Sequence, residues 1–275
     1  MKVMFKVALV MIVMYMLTAA AVFFFQSQLA FEDPLGAPHL APTLSEGFWG
    51  VWGTDALGRS MIKKLLLGVK ASVIFGLTVA IGSVVLGTVF GIVSGFLGGW
   101  VDMFITWLFT TLSAVPGILM LLAIMFIFGN HFWTAVIALV SVDWIGLCRM
   151  LRAEVIRERT KEYVVAATAM GCRSHRILYR HILPNVSHYI WIYFSLHFIF
   201  AVKAEIILAF LGFQFSQGVS WGIIIEEARG ELLQGVWWPL AGATIGMAGL
   251  LLSLQICSDW LRDRFDPRLG TETTA

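Results

Sequence analysis

An all-α integral membrane protein of about six transmembrane helices is the fold class this sequence predicts, and three observations carry it. Of its 275 residues 59% are hydrophobic and only 13% charged, with a mean hydropathy of +0.85, more than the core of a soluble domain requires. Six apolar runs, at about residues 7–25, 71–96, 104–128, 133–147, 188–211 and 238–256, approach or reach the length that crosses ~30 Å of hydrocarbon. The cations are unevenly spread. With the N-terminus inside, thirteen Lys and Arg fall on the cytoplasmic side, five (Arg59, Lys63, Lys64, Lys70 and Arg229) fall outside, and Lys203 lies within a span, so both termini are expected in the cytoplasm.

The first run, within residues 1–25, follows Lys2 and Lys6. Ala19, Ala20 and Ala21 offer a signal-peptidase-like site, but Val22, Phe23, Phe24 and Phe25 carry the run on to spanning length, so an uncleaved span is expected. Residues 26–70 bring Asp33-Pro34, Pro38, Pro42 and "WGTDALGR", the marks of a periplasmic loop. Arg59 and Lys63, four apart, predict an interfacial amphipathic helix leading into the second span. Residues 71–257 then form one transmembrane domain interrupted by a polar segment at 149–187, and residues 258–275 a cytoplasmic tail. Cys148, Cys172 and Cys257 show neither disulfide nor metal-ligand spacing and read as small hydrophobes. A net charge of +2 gives no ground for a nucleic-acid partner.

The polar segment contains "EYVVAATAMGCRSHRILYRHILPN", residues 162–185. Helix-forming residues over 152–170, with Glu154 and Glu158 facing later cations, predict one helix whose Ala166, Ala167 and Ala169 leave room for another surface. Gly171 is where it stops, Ser174 is placed to cap a second short helix, and Pro184 to limit it. A docking hairpin and a basic segment resting on anionic lipid fit these residues equally.

Ala166-Ala167, Gly171, nine further residues and "HILP" resemble the cytoplasmic EAA loop of ATP-binding-cassette importer permeases. "EYVVAATAMG" and "RHILPN" are similar to the branch that carries dipeptides, oligopeptides and nickel. "WGTDALGRSM", "FLGF", "SWG" and "SDWLRDRFDPRLG" resemble that branch's other marked stretches in the same order, from about residue 50 to 270, and look closer to its second permease subunit. The resemblance implies the type I importer permease fold in a bacterial cytoplasmic membrane, forming half of a pore, with peptides the first expected cargo and nickel or another metal chelate the alternative. It implies as partners a second homologous permease, two ATPases that bind ATP and Mg, a periplasmic or lipid-anchored substrate-binding protein, and membrane lipid. No G-x-x-x-x-G-K-[ST] loop is present, so this chain is expected to bind no cofactor and to hydrolyse nothing itself. The positions matching the coupling loop are Glu162, Tyr163, Ala166, Ala167, Gly171, Ser174, His175, Ile177, His181, Leu183 and Pro184. Three departures stand out. Val165 replaces the loop's name-giving glutamate, Ser60 an acidic residue, and "QFSQGV" lacks the prolines common there.

A reading from another class rests on "GVSWG", residues 218–222, which fits the G-x-S-x-G pattern of a serine hydrolase with Ser220 as nucleophile. His197, the candidate base, lies thirteen residues before the end of its span, roughly 20 Å deep at ~1.5 Å per residue. That separation argues against a shared proton and leaves no catalytic residue. Asp143, Lys203 and Glu205 are costly in hydrocarbon and are the candidates for lining a translocation path, Glu205 with the stronger structural reading. The six histidines are scattered and predict no metal site.

Overall fold

A chain this apolar must satisfy its backbone within its own helices, and the computed structural model, which describes residues 2–25, 29, 31–214 and 218–265, does so. The helices are α1 (Lys2–Phe25), α2 (Met61–Leu97), α3 (Gly99–Ser113), α4 (Gly117–Phe128), α5 (Phe132–Arg159), α6 (Glu162–Ala169), α7 (Ser174–Ile177), α8 (Leu183–Phe210), α9 (Trp221–Leu232) and α10 (Trp238–Phe265). Five are long and apolar enough to cross a membrane, and α3 with α4 passes the same test only as a bent pair, which makes six if the pair is one span. The tail beyond 265 and residues 215–217 of the "QFSQGV" stretch lie outside the described residues.

The third span departs from the straight helix expected over 104–128. It starts at Gly99 and bends by 83° between α3 and α4. Pro116 is the cause: it has no N–H to give the Leu112 carbonyl, its ring crowds that carbonyl, and it biases Val115 away from helical geometry.

The chain divides into two compact units. The first comprises Met1–Leu77, Asn130–Trp133 and Ile199–Cys257. Its "WGTDALGRS" loop is pinned by buried polar side chains. Thr54 Oγ1 donates to the Ala37 carbonyl (2.7 Å) and accepts from the Leu40 N–H (2.8 Å), while Ser60 Oγ donates to the Trp49 carbonyl (2.7 Å). Two indoles close the loop onto α10: Trp238 Nε1 donates to the Thr54 carbonyl and Trp52 Nε1 to the Trp238 carbonyl, each at 2.9 Å. Trp221, at the start of α9, is buried edge-on to Tyr15, whose hydroxyl donates to the Gly246 carbonyl at 2.8 Å.

The separate interfacial helix expected ahead of the second span is absent as such. Met61 opens one unbroken 37-residue helix; Arg59 and Lys64 are claimed by carboxylates, and Lys63 lies over the Trp49 ring, 5.5 Å from its centroid. Asp55, 1% exposed, accepts from Arg59 Nε (2.9 Å) and from Lys64 Nζ (3.2 Å). Lys64, 4% exposed, also reaches Glu227 Oε2 on α9 at 2.7 Å. Burial opposes the charge of Asp55, but hydrogen bonds from Arg59 and the charge of Lys64 outweigh it and hold the carboxyl below its ordinary range.

The second unit comprises Thr78–Gly129, Thr134–Phe198 and Ser258–Ala275. Its organising contact is between α2 and α5. Gly87, Gly91 and Gly95 form a stripe with four-residue spacing, and a Cβ on any of them would sit 2.8 Å from the carbonyl oxygen of Trp144, Cys148 or Arg152 respectively. Small residues at this spacing let helix backbones approach where apolar solvent gives no hydrophobic drive. Arg152 of α5 then reaches α3, pairing with both oxygens of Asp102 (Nη2–Oδ2 2.7 Å), and Ile105, Phe109, Trp144, Ile145 and Cys148 fill the space between.

Two outcomes follow from these contacts. Gly91→Leu is expected to force α2 from α5 and destabilise the detergent-solubilised protein by at least ~1–3 kcal/mol, seen as a lowered thermal midpoint. Gly230→Ala, where a Cβ meets nothing within 4 Å, should be neutral or slightly stabilising. Asp55→Asn is expected to cost about 3 kcal/mol at neutral pH by leaving Lys64 with Glu227 alone. Because a depressed carboxyl contributes stability above its ordinary range and loses it as pH falls through the lowered value, the gap between parent and variant should narrow on acidification. Thermal scans from neutral to acid pH measure both.

Candidate functional site

The polar segment is built in two arms off the end of α5. The single helix expected over 152–170 is interrupted: α5 stops at Arg159, Lys161 is extended (φ −71°, ψ 144°), and α6 restarts at Glu162. The break has a side-chain cause. Glu158, buried at the end of α5, binds Lys161 Nζ through one carboxylate oxygen and the Tyr163 hydroxyl through the other. Tyr163 Oη in turn accepts from Asn185 Nδ2 at 2.8 Å, so a chain of hydrogen bonds ties α5, α6 and the start of α8. Burial, with the Glu158 carboxylate adding to it, pushes the Tyr163 phenol above its ordinary range. Glu154 pairs with Arg157 (3.3 Å), as its spacing predicts.

Gly171 ends α6 as expected. Its φ is +79°, its N–H bonds to the Thr168 carbonyl (3.0 Å), and the Cys172 N–H reaches back to Ala167 (3.1 Å), the paired bonds of a left-handed helix terminus. The second arm differs from expectation in two ways. Ser174 is the first residue of α7 instead of its cap; Arg173 occupies the cap position with no side-chain hydrogen bond. Pro184 does not limit the helix. A π turn over Leu178–Ile182 joins α7 to α8, the Leu183 N–H bonding five residues back to Leu178. The Asn185 side chain donates to the His181 carbonyl (2.9 Å). With the turn widened and nearby carbonyls served, a proline in the first turn of α8 is tolerated.

The hairpin rests on its own core. Val164, Ala167, Ile177, Ile182 and Val186 are buried against Leu147, Leu151 and Val155 of α5. Ala167 and Ile177 therefore face inward, while Glu162, Tyr163, Ala166, Ser174, His175 and Pro184 are exposed, and His181 and Leu183 lie between. Among the expected small-residue surface, Ala166 and Ala169 remain open to a partner and Ala167 does not. Glu158 faces a later cation, Lys161, as its spacing predicts, but sequence reasoning missed its bond to Tyr163 and the contact of Tyr163 with Asn185, 22 residues apart; it also missed Arg159, described below.

The intramembrane candidates separate. Asp143 Oδ2 lies 2.6 Å from His197 Nδ1, which brings these two side chains of α5 and α8 together. Glu205 is buried facing the hydroxyls of Ser72 and Ser220. Lys203 alone of the three is exposed. Ser220 is the N-cap of α9, its Oγ accepting from the Ile223 N–H at 3.4 Å, an ordinary structural task. Among the described residues no group of three His, Cys, Asp or Glu side chains could hold a metal ion.

Long apolar helices carrying a polar hairpin with its own core define a multi-pass membrane protein. Residues 87–271 match the family described as binding-protein-dependent transport system inner membrane component, and the chain belongs to that family. It is similar to the dipeptide transport system permease protein DppC of Bacillus subtilis, 28% identical over 86% of this chain and 73% of the relative. It is also similar to the oligopeptide transport system permease protein OppC of Haemophilus influenzae, 31% identical over 83% and 73%. A putative peptide transport system permease protein of Brucella suis is 34% identical over 82% and 76%.

A β-branched residue at position 171 would meet nothing within 4 Å, so Gly171→Val is a test of backbone strain alone. The cost expected is ~1–3 kcal/mol, concentrated in the turn. Hydrogen exchange should quicken at 172–182 while α2 and α5 keep their protection, and equal protection of the turn in parent and variant would contradict the assignment.

Proposed function

We propose that this chain is one of two pore-forming subunits of an ATP-driven peptide importer in a bacterial cytoplasmic membrane, with both termini and the hairpin on the cytoplasmic side. The observation that carries the reading is the hairpin. Its inner side rests on the chain's own core, and its outer side is open, with Glu162, Arg173, His175, Arg176 and Arg180 exposed beside Val165, Met170 and Tyr179, a mixed polar and apolar surface that suits docking to a soluble protein. That three relatives matching over four-fifths of this chain are peptide permeases favours peptides over metal chelates as cargo.

In this reading two partner ATPases bind ATP and Mg and close on each other, and each holds a hairpin. Closure carries the hairpin arms with it. Since α7 passes through the π turn into α8 without a loop, displacement of the hairpin moves a transmembrane helix directly, rocking the pore between inward-open and outward-open forms. The second permease supplies the other half of the pore, and a substrate-binding protein delivers cargo to the opposite face. Lys203, exposed on an apolar helix, is the best placed of the intramembrane candidates to meet cargo or the partner permease.

The purified chain is expected to hydrolyse no ATP. Single cysteines at Ser174, His175 or His181 should cross-link to an ATPase subunit in the assembled transporter, and the reconstituted complex should take up labelled di- or oligopeptides in preference to a nickel chelate. Hydrolysis by the isolated subunit, or absence of every cross-link, would overturn the reading.

A further inference from the structure

A groove of about 540 Å³ opens beside the hairpin, with an apolar wall that includes Phe96, Val164, Val165 and Ile177 and a polar edge made by Arg159 and Thr168. Arg159 is held in place. Its Nη1 donates to the Gly95 carbonyl at 3.2 Å and its guanidinium lies over the Phe96 ring, 5.7 Å from the centroid. A guanidinium has five N–H donors in a planar fork shaped for a carboxylate. Among the described residues no carboxylate of this chain pairs with it. The adjacent acids are committed elsewhere: Glu158 to Lys161 and Tyr163, Glu154 to Arg157.

The surroundings repeat that imbalance. Between positions 149 and 185 stand eight Lys and Arg against three Glu, and Arg173, Arg176 and Arg180 are exposed on the second arm. Val165, 56% exposed, contributes an apolar surface to the groove. A positioned cation at the end of an apolar slot fits a side chain with a methylene stem and an acidic tip.

We propose that this groove receives a glutamate or aspartate of the partner ATPase, its carboxylate bound to Arg159 and its stem packed on Phe96 and Val165. The inference rests on the reading of the hairpin as the ATPase-docking element, and adds that the permease supplies the cation and the ATPase the anion at this contact. Charge complementarity decides the occupant. A bidentate charged pair of this kind contributes to both register and affinity.

The test uses the complete transporter, both permeases with both ATPases, in lipid nanodiscs. Arg159→Lys keeps the charge and supplies an amine that a carbodiimide can join to a carboxylate in contact with it. Mass spectrometry should find the resulting amide bond to an Asp or Glu of the ATPase. A bond only to the serine headgroup of phosphatidylserine would assign the groove to membrane lipid, and no bond at all would assign Arg159 to solvent; both overturn the proposal. Val165→Glu places a carboxylate in the same groove, where it competes for Arg159. Retention of ATPase by this variant and by Arg159→Gln should fall by roughly ten- to hundredfold, the scale of one charged hydrogen-bonded contact, while Arg159→Lys stays close to the parent. Unchanged or tighter retention by Val165→Glu would defeat the proposal. If cysteines at 174–181 still cross-link to the ATPase while both substitutions are silent, only this inference fails; if those cross-links are missing too, the docking reading fails with it.

Discussion

The close contact between α2 and α5 is the constraint on which the second unit depends. Gly87, Gly91 and Gly95 bring the backbone of α2 against the carbonyls of α5, and that contact fixes the position of Leu147, Leu151 and Val155. The same three side chains form the floor under α6 and α7. Arg152, one residue along from Leu151, braces α5 from α3 through Asp102. The hairpin is thus supported on a helix that is itself held from two directions, which suits the force-transmitting role proposed for it.

Much of this was legible in the residues. The long apolar runs announced the spans, Gly171 announced the end of α6, and the Glu154–Arg157 pair followed from helical spacing. Other features had signals that a reading by composition passes over. Pro116 sits inside a hydrophobic run, so hydropathy counts straight through it while the backbone bends. The glycine stripe is a repeated G-x-x-x-G pattern, visible in "GTVFGIVSG". The break after Arg159 is different in kind. No proline or glycine marks it; it depends on Glu158 gathering Lys161, Tyr163 and, through Tyr163, Asn185. Contacts so distant in sequence leave no local periodicity to detect.

Buried polar residues show the same division. Sequence identifies Asp143, His197, Glu205 and Lys203 as expensive in a membrane, but the expense depends on the partner. Asp143 and His197 meet each other across α5 and α8. Glu205 lies among serine hydroxyls. In the first unit the buried Asp55 and Lys64 pair with each other and with the more exposed Arg59 and Glu227, and the loop motif that carries Asp55 is therefore a structural clasp. The charge of a side chain is readable from a sequence, whereas whether it is spent on the fold or left for a partner is a property of the packing.

The π turn between α7 and α8 has a consequence for rotational phase. A wide turn takes up about one residue more than an α turn, and each residue of an α-helix advances the direction of its side chain by ~100°. Everything downstream of Leu178–Ile182 is consequently rotated relative to an uninterrupted helix begun at Ser174. It is on this rotated register that Val186 points into the core, Trp191 points out, and His197 meets Asp143. A five-residue irregularity at the membrane boundary thus selects which face of the following span is polar-paired and which is apolar, and the proline beside it keeps the helix from relaxing into the other phase.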